Sequence, residues 1–147
     1  MFRAIVVGTD GSETAGEAVD AAIALARAYG ATLHIVSAFV PVPQQRLRAA
    51  APRAPHDVEW QINPREDVDA TLAEAEGRTA GAGITVRTHP REGDAADSIL
   101  DVAEELGADL IVVGNKGLTG AKRFLLGSVP NRVSHHAPCS VLIVRTS

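Results

Sequence analysis

The chain has 147 residues, 46% of them hydrophobic and 22% charged, with a formal net charge of -4. That length suits one domain around one core, and the acidic balance argues against gripping a phosphate backbone, so no nucleic acid partner is expected. Aromatics are only 3% and Cys139 is the single cysteine, so the core must be built from Ala, Val, Ile and Leu and no internal disulfide can form.

The opening Met1-Phe2-Arg3-Ala4-Ile5-Val6-Val7-Gly8 is apolar but too short for a signal peptide, and it runs straight into Asp10. No apolar run approaches the ~20 residues of a membrane span. The expectation is a cytoplasmic protein with no membrane partner. Ala4 to Val7 reads as a buried strand, ended by Gly8-Thr9-Asp10-Gly11-Ser12. Thr14-Ala15-Gly16-Glu17 has the form of a capping box. Ala15, Ala18, Val19, Ala22, Ala26 and Tyr29 then recur at helical spacing until Gly30.

Thr32 to Ala38 is a second predicted strand. Five of the eight prolines lie between Pro41 and Pro64, so about 41–63 is expected to be a surface loop, a connector or a lid. Asn63-Pro64-Arg65-Glu66 announces the next helix, with Val68, Leu72, Ala75, Thr79 and Ala82 as its inner stripe. Ile84 to His89 alternates as a third strand. Asp94 should cap a helix that turns Ile99, Ala103 and Leu106 inward and stops at Gly107. Asp109 to Val113 is the most uniformly apolar strand. A glycine-rich stretch, a short helix from about Val129 to His136 and a fifth strand, Val141 to Val144, complete the chain.

Strand and helix alternate throughout, which predicts a single α/β domain over 1–147 with a parallel sheet. The loops richest in ligand-like residues follow strands 1 and 4, and the expected form is a doubly wound five-stranded sheet, order 3-2-1-4-5, helices on both faces. That order makes strands 1 and 4 neighbours at the switch point, where such sheets bind ligands beyond the carboxyl ends of their strands. Strand 5 is then an edge, and Val141-Leu142-Ile143-Val144 carries no charge to discourage pairing with a second copy.

The loops after strands 1 and 4 hold the chemistry. Gly114-Asn115-Lys116-Gly117 is followed, after nine residues, by Gly127-Ser128. Glycine lets the backbone approach a bulky anion. Gly127-Ser128 leads into a helix whose first N–H groups suit phosphate, and Ser128 can cap that helix or donate to a phosphate oxygen. Lys116, Lys122 and Arg123 bring positive charge nearby. The phosphate loop G-x-x-x-x-G-K-[S/T] of motors and kinases is absent. His135 and His136 diverge by roughly 100° on a helix and read as helix-end residues, and Cys139, without an evident base, reads as a structural thiol.

The spacing G-x2-G-x9-G-[S/T] resembles that of nucleotide-binding universal stress proteins. The likeness extends to Val6-Val7-Gly8-Thr9-Asp10-Gly11-Ser12, to Leu125-Leu126-Gly127-Ser128-Val129, and to His136-Ala137-Pro138-Cys139-Ser140-Val141-Leu142-Ile143-Val144. The resemblance implies an adenine nucleotide site. Gly8, Thr9, Asp10, Gly11 and Ser12 would lie under the nucleoside, and Ala38 and Phe39 at the end of strand 2 beside the adenine. Val113, Gly114, Asn115, Lys116 and Gly117 would wrap the ribose and phosphates, together with Gly127, Ser128 and Val129. It further implies ATP, AMP or cyclic AMP as ligand, Mg accompanying ATP, a homodimer through strand 5, and a regulatory role through an unknown partner protein. A slow ATP hydrolase is the alternative from another class, and no catalytic residue or metal site is expected.

Overall fold

The computed structural model describes residues 1–40, 64–115 and 127–146. The proline-rich loop, Asn63, Lys116, Gly117, Lys122, Arg123, Leu125 and Leu126 lie outside the described residues. Five strands form one parallel sheet in the expected order, β3-β2-β1-β4-β5. They are β1 (Ala4–Gly8), β2 (Thr32–Phe39), β3 (Val86–Glu92), β4 (Leu110–Gly114) and β5 (Ser140–Val144). The helices are α1 (Glu13–Tyr29), α2 (Pro64–Gly77), α3 (Ala95–Leu106) and α4 (Ser128–His136).

The two sheet faces carry separate cores, because successive side chains on a strand point to opposite sides. On one face Ile5, Val7, Leu33, Ile35, Leu110 and Val112 meet α1 and α2 through Ala18, Val19, Ala22, Val68, Leu72 and Ala75. On the other, Val6, Val36, Ile111 and Val113 meet α3 and α4 through Ala96, Ile99, Val102, Ala103 and Val133. Central β1 is fully buried on both sides, which is why Ile5-Val6-Val7 reads as an unbroken apolar run. Small residues let the helices sit close. Gly16 on α1 faces Arg78, and a Cβ there would come within 2.7 Å of Arg78 Nη2. Arg78 in turn bridges Asp20 and Glu74.

Several local expectations shift. Ser12, two residues before Thr14, caps α1, its Oγ accepting from Ala15 N–H at 3.2 Å. Tyr29 is exposed at the end of α1, where its ring meets Phe2 edge-on. Helix α2 stops at Gly77, so Thr79 and Ala82 lie in the turns that follow. Strand β3 begins at Val86 and runs on to Glu92, paired with β2 as far as Phe39. Leu106, expected inward, is exposed on the last turn of α3. Asp94 and Gly107 cap α3 as predicted, and Gly30 closes α1 in the left-handed conformation at φ 65°.

Candidate functional site

A cleft opens at the carboxyl ends of β1, β2 and β4. It is lined by Gly8, Thr9, Asp10, Ser12 and Ala15, by Val36 and Ala38, by Ala95 and Ile99, and by Val113, Gly114, Val129 and Pro130. The space is about 610 Å³ when its open, solvent-facing mouth is included. Parallel β-α connections direct three helices with their N-termini toward this end, and residues from the first turns of α1, α3 and α4 line the cleft. Helix N-termini present unshared N–H groups and a positive dipole end, so the cleft suits an anion.

Each loop is set by its own backbone chemistry. Thr9 N–H donates to Val36 carbonyl oxygen at 2.9 Å, holding the start of the first loop against β2. Asp10 Oδ1 accepts from Ser12 N–H at 2.9 Å, and the exposed carboxylate stands at the cleft wall. Gly11 does not line the cleft. It turns the chain at φ 83°, where an L side chain would be strained and its Cβ would meet Thr71 Oγ1 at 3.0 Å. Gly8 needs its bareness for another reason: a Cβ there would collide with Ile99 Cδ1 at the cleft floor.

Gly127 and Ser128 do not line the cleft, which α4 reaches with Val129 and Pro130; Gly127 is buried and forms the N-cap of α4, with no side-chain cap bond. Ser128 is therefore the first helical residue rather than the cap. It is exposed. Pro130 in the same turn contributes no N–H, which leaves the N–H groups of Ser128 and Val129 as the outward donors of this helix start. Gly127 N–H donates to Asn115 carbonyl oxygen at 3.0 Å, so the two halves of the glycine motif are joined directly.

Not every predicted site residue faces the cleft. Ala38 does, but Phe39 alternates to the opposite face, packs against the α1–α2 core and carries the Arg65 guanidinium over its ring at 5.7 Å. Asn115 spends its side-chain oxygen on Thr146, accepting from its N–H at 2.9 Å and its hydroxyl at 3.0 Å. Lys116 and Gly117 lie outside the described residues. Sequence reasoning missed Ala15, Val36, Ala95, Ile99 and Pro130. The signal for Ala95 was present: a helix capped by Asp94 after strand 3 must begin at the same sheet end as the other two. His135 and His136 sit exposed in the last turn of α4. Cys139 is half-buried, and burial, then the charge of Asp109, pushes its thiol above the usual range, so it stays protonated. Among the described residues no three His, Cys, Asp or Glu side chains gather as a metal's donor set.

Residues 1–145 match the profile of the universal stress protein family. The chain belongs to that family. This universal stress protein is similar to Universal stress protein Rv1636 of Mycobacterium tuberculosis (strain ATCC 25618 / H37Rv), at 39% identity over 147 residues, covering 99% of this chain and 98% of the relative. It is similar also to Universal stress protein YxiE of Bacillus subtilis (strain 168), at 35% identity, with 99% and 100% covered. Among solved structures it resembles a universal stress protein crystallised in complex with cAMP, at 37% identity and a TM-score of 0.73, covering 99% of this chain and 98% of that one. Among the described residues no helix is long and apolar enough to cross a membrane.

Proposed function

We propose that this universal stress protein binds an adenine nucleotide in the cleft at the carboxyl ends of β1 and β4 and acts as a regulatory module rather than an enzyme. The observation that carries the reading is the convergence of three helix N-termini on a cleft with bare glycine at its floor and wall, Gly8 and Gly114. The apolar side, Val36, Ala38, Ile99 and Val113, suits a flat base. The N–H groups at Ser128 and Val129 suit phosphate, and the exposed carboxylate of Asp10 suits ribose hydroxyls. The 37%-identical relative in complex with cAMP supports the same ligand class and favours cyclic AMP beside ATP and AMP. Where ATP binds, its phosphates supply the oxygens for a Mg ion.

Titration calorimetry with ATP, AMP, cyclic AMP and adenosine tests this. Phosphorylated ligands should bind about tenfold or more tightly than adenosine, since contacts to a charged group are worth about 1.5–3 kcal/mol. Absence of binding by all four to folded protein at millimolar concentration would sink the reading, and steady ATP turnover would replace it with the hydrolase. The same reading carries a homodimer through the open edge of β5, where Leu142 is 38% exposed. Sedimentation should give a dimer at tens of micromolar, and a monomer counts against it.

A further inference from the structure

Asn115 stands where three segments meet. Its N–H donates to Val144 carbonyl oxygen at 2.9 Å, carrying the β4–β5 ladder one step beyond the Gly114–Val144 pair. Its carbonyl oxygen accepts from Gly127 N–H at 3.0 Å. Its side-chain oxygen accepts twice from Thr146, at 2.9 and 3.0 Å. Thr146 is itself buried, 9% exposed, although it lies past the end of the last strand and does not line the cleft.

The consequence is mechanical. Gly114 forms one wall of the cleft, and Gly127 begins the helix that carries Val129 and Pro130 into the opposite wall. Asn115 is covalently bound to the first and hydrogen-bonded to the second. Thr146 restrains the Asn115 side chain with two donors on one oxygen, an arrangement that fixes its rotamer and the peptide it is attached to. We propose that Thr146, acting through Asn115, is a positioning residue for the anion-facing end of the cleft: the C-terminal tail sets where the Gly127–Ser128 helix start stands against Gly114. The phosphate part of this inference rests on the nucleotide reading above; the mechanical part does not.

Three variants separate the donors. Thr146→Ser keeps both, Thr146→Val removes the hydroxyl, and Thr146→Pro removes both. Hydrogen exchange of the Gly127 amide, followed by NMR in the ligand-free protein, reads the linkage directly. Exchange should match the original chain in Thr146→Ser, quicken in Thr146→Val and quicken most in Thr146→Pro, by about tenfold or more. Affinity for ATP should fall about three- to tenfold in the same order while affinity for adenosine holds. An unchanged Gly127 amide in both Thr146→Val and Thr146→Pro overturns the inference. So does a drop in melting temperature that weakens ATP and adenosine equally, the mark of a merely structural contact. Because the exchange measurement needs no ligand, it decides the linkage even for a chain that takes up no nucleotide, an outcome that would count against the nucleotide reading alone.

Discussion

The two ends of the sheet are built to opposite plans. At the amino end the chain satisfies itself. The Asp109 carboxylate accepts from the N–H groups of Arg3, at 2.8 and 3.1 Å, and Ala4, at 3.2 Å, binding β1 to the start of β4. Helices α1 and α3 end there in left-handed glycine caps, Gly30 and Gly107, and buried Ala31 and Ala108 lead directly into β2 and β4. At the carboxyl end the helices begin instead of ending, and the space between the first turns of α1, α3 and α4 is left open. The difference follows from the parallel topology. Every helix runs back across the sheet, so all free carbonyls collect at one end and all free N–H groups at the other. The carbonyl end can be closed with short glycine turns. The N–H end is left with donors that suit an anion, and it is where a binding site costs the fold least.

Gly8→Val should break the comparison most severely. Its side chain would enter the cleft floor against Ile99, and overpacking of this kind costs about 1–3 kcal/mol of stability. Nucleotide affinity should fall by at least about a hundredfold, ~2.7 kcal/mol, because the base and the new methyl groups compete for the same space. Calorimetry beside a circular dichroism melt would show binding lost from a protein that still folds. Retained affinity would mean that the carboxyl end is not the binding end.

Asp109→Ala is the converse. It strips the acceptor from the N–H groups of Arg3 and part-buried Ala4, a loss of about 1–3 kcal/mol. The melting temperature should fall by roughly 3–10 °C, while affinity for nucleotide stays within about twofold. A variant that melted normally but bound poorly would reverse the roles of the two ends.

The fold was legible because its signals are periodic and local. Ile5-Val6-Val7 and Leu110-Ile111-Val112-Val113 are apolar without alternation, as strands buried on both faces must be, and glycine stops fixed two helix ends. The cleft was legible in outline for a related reason: the sheet order 3-2-1-4-5 puts strands 1 and 4 side by side, and both contribute residues to the cleft lining. Two residues show what the chain pattern does not carry. The resemblance sets Phe39 beside Ala38, yet adjacent strand residues face opposite sides and Phe39 packs against the α1–α2 core. It sets Asn115 within the glycine motif, but the partner of its side chain, Thr146, is 31 residues away and no local pattern announces it. Ser12 outcompeted Thr14 as the cap because the left-handed turn at Gly11 delivers its hydroxyl to Ala15 N–H.

The smallest effect should come from acid, and it should touch stability alone. His34 on β2 and His89 on β3 face each other with Nδ1 and Nε2 3.0 Å apart, His34 being buried. Burial lowers the pKa of His34, and the neighbouring His89 and Arg87 lower it further. Burial likewise lowers that of His89, with Arg91 and Arg87 acting in the same direction and Glu105 against them. Both rings therefore bind protons less readily folded than unfolded, where the ordinary value is 6.5. The unfolded chain takes up more protons as pH falls through 6.5, so their contribution is fully present above that pH and is lost progressively below it. Glu105 does not confuse the window. Its hydrogen bond from Arg91 holds its carboxyl below the ordinary 4.5, so it remains charged throughout. Between pH 7.5 and 5.5 the melting temperature should decline by on the order of a few degrees. A chain carrying His34→Gln and His89→Gln, which has no proton to take up there, should show a flatter profile. Adenosine affinity should hold across the same range, because neither histidine lines the cleft. A melting temperature that rose on acidification would reverse the sign of the linkage and remove the pair from the account of stability.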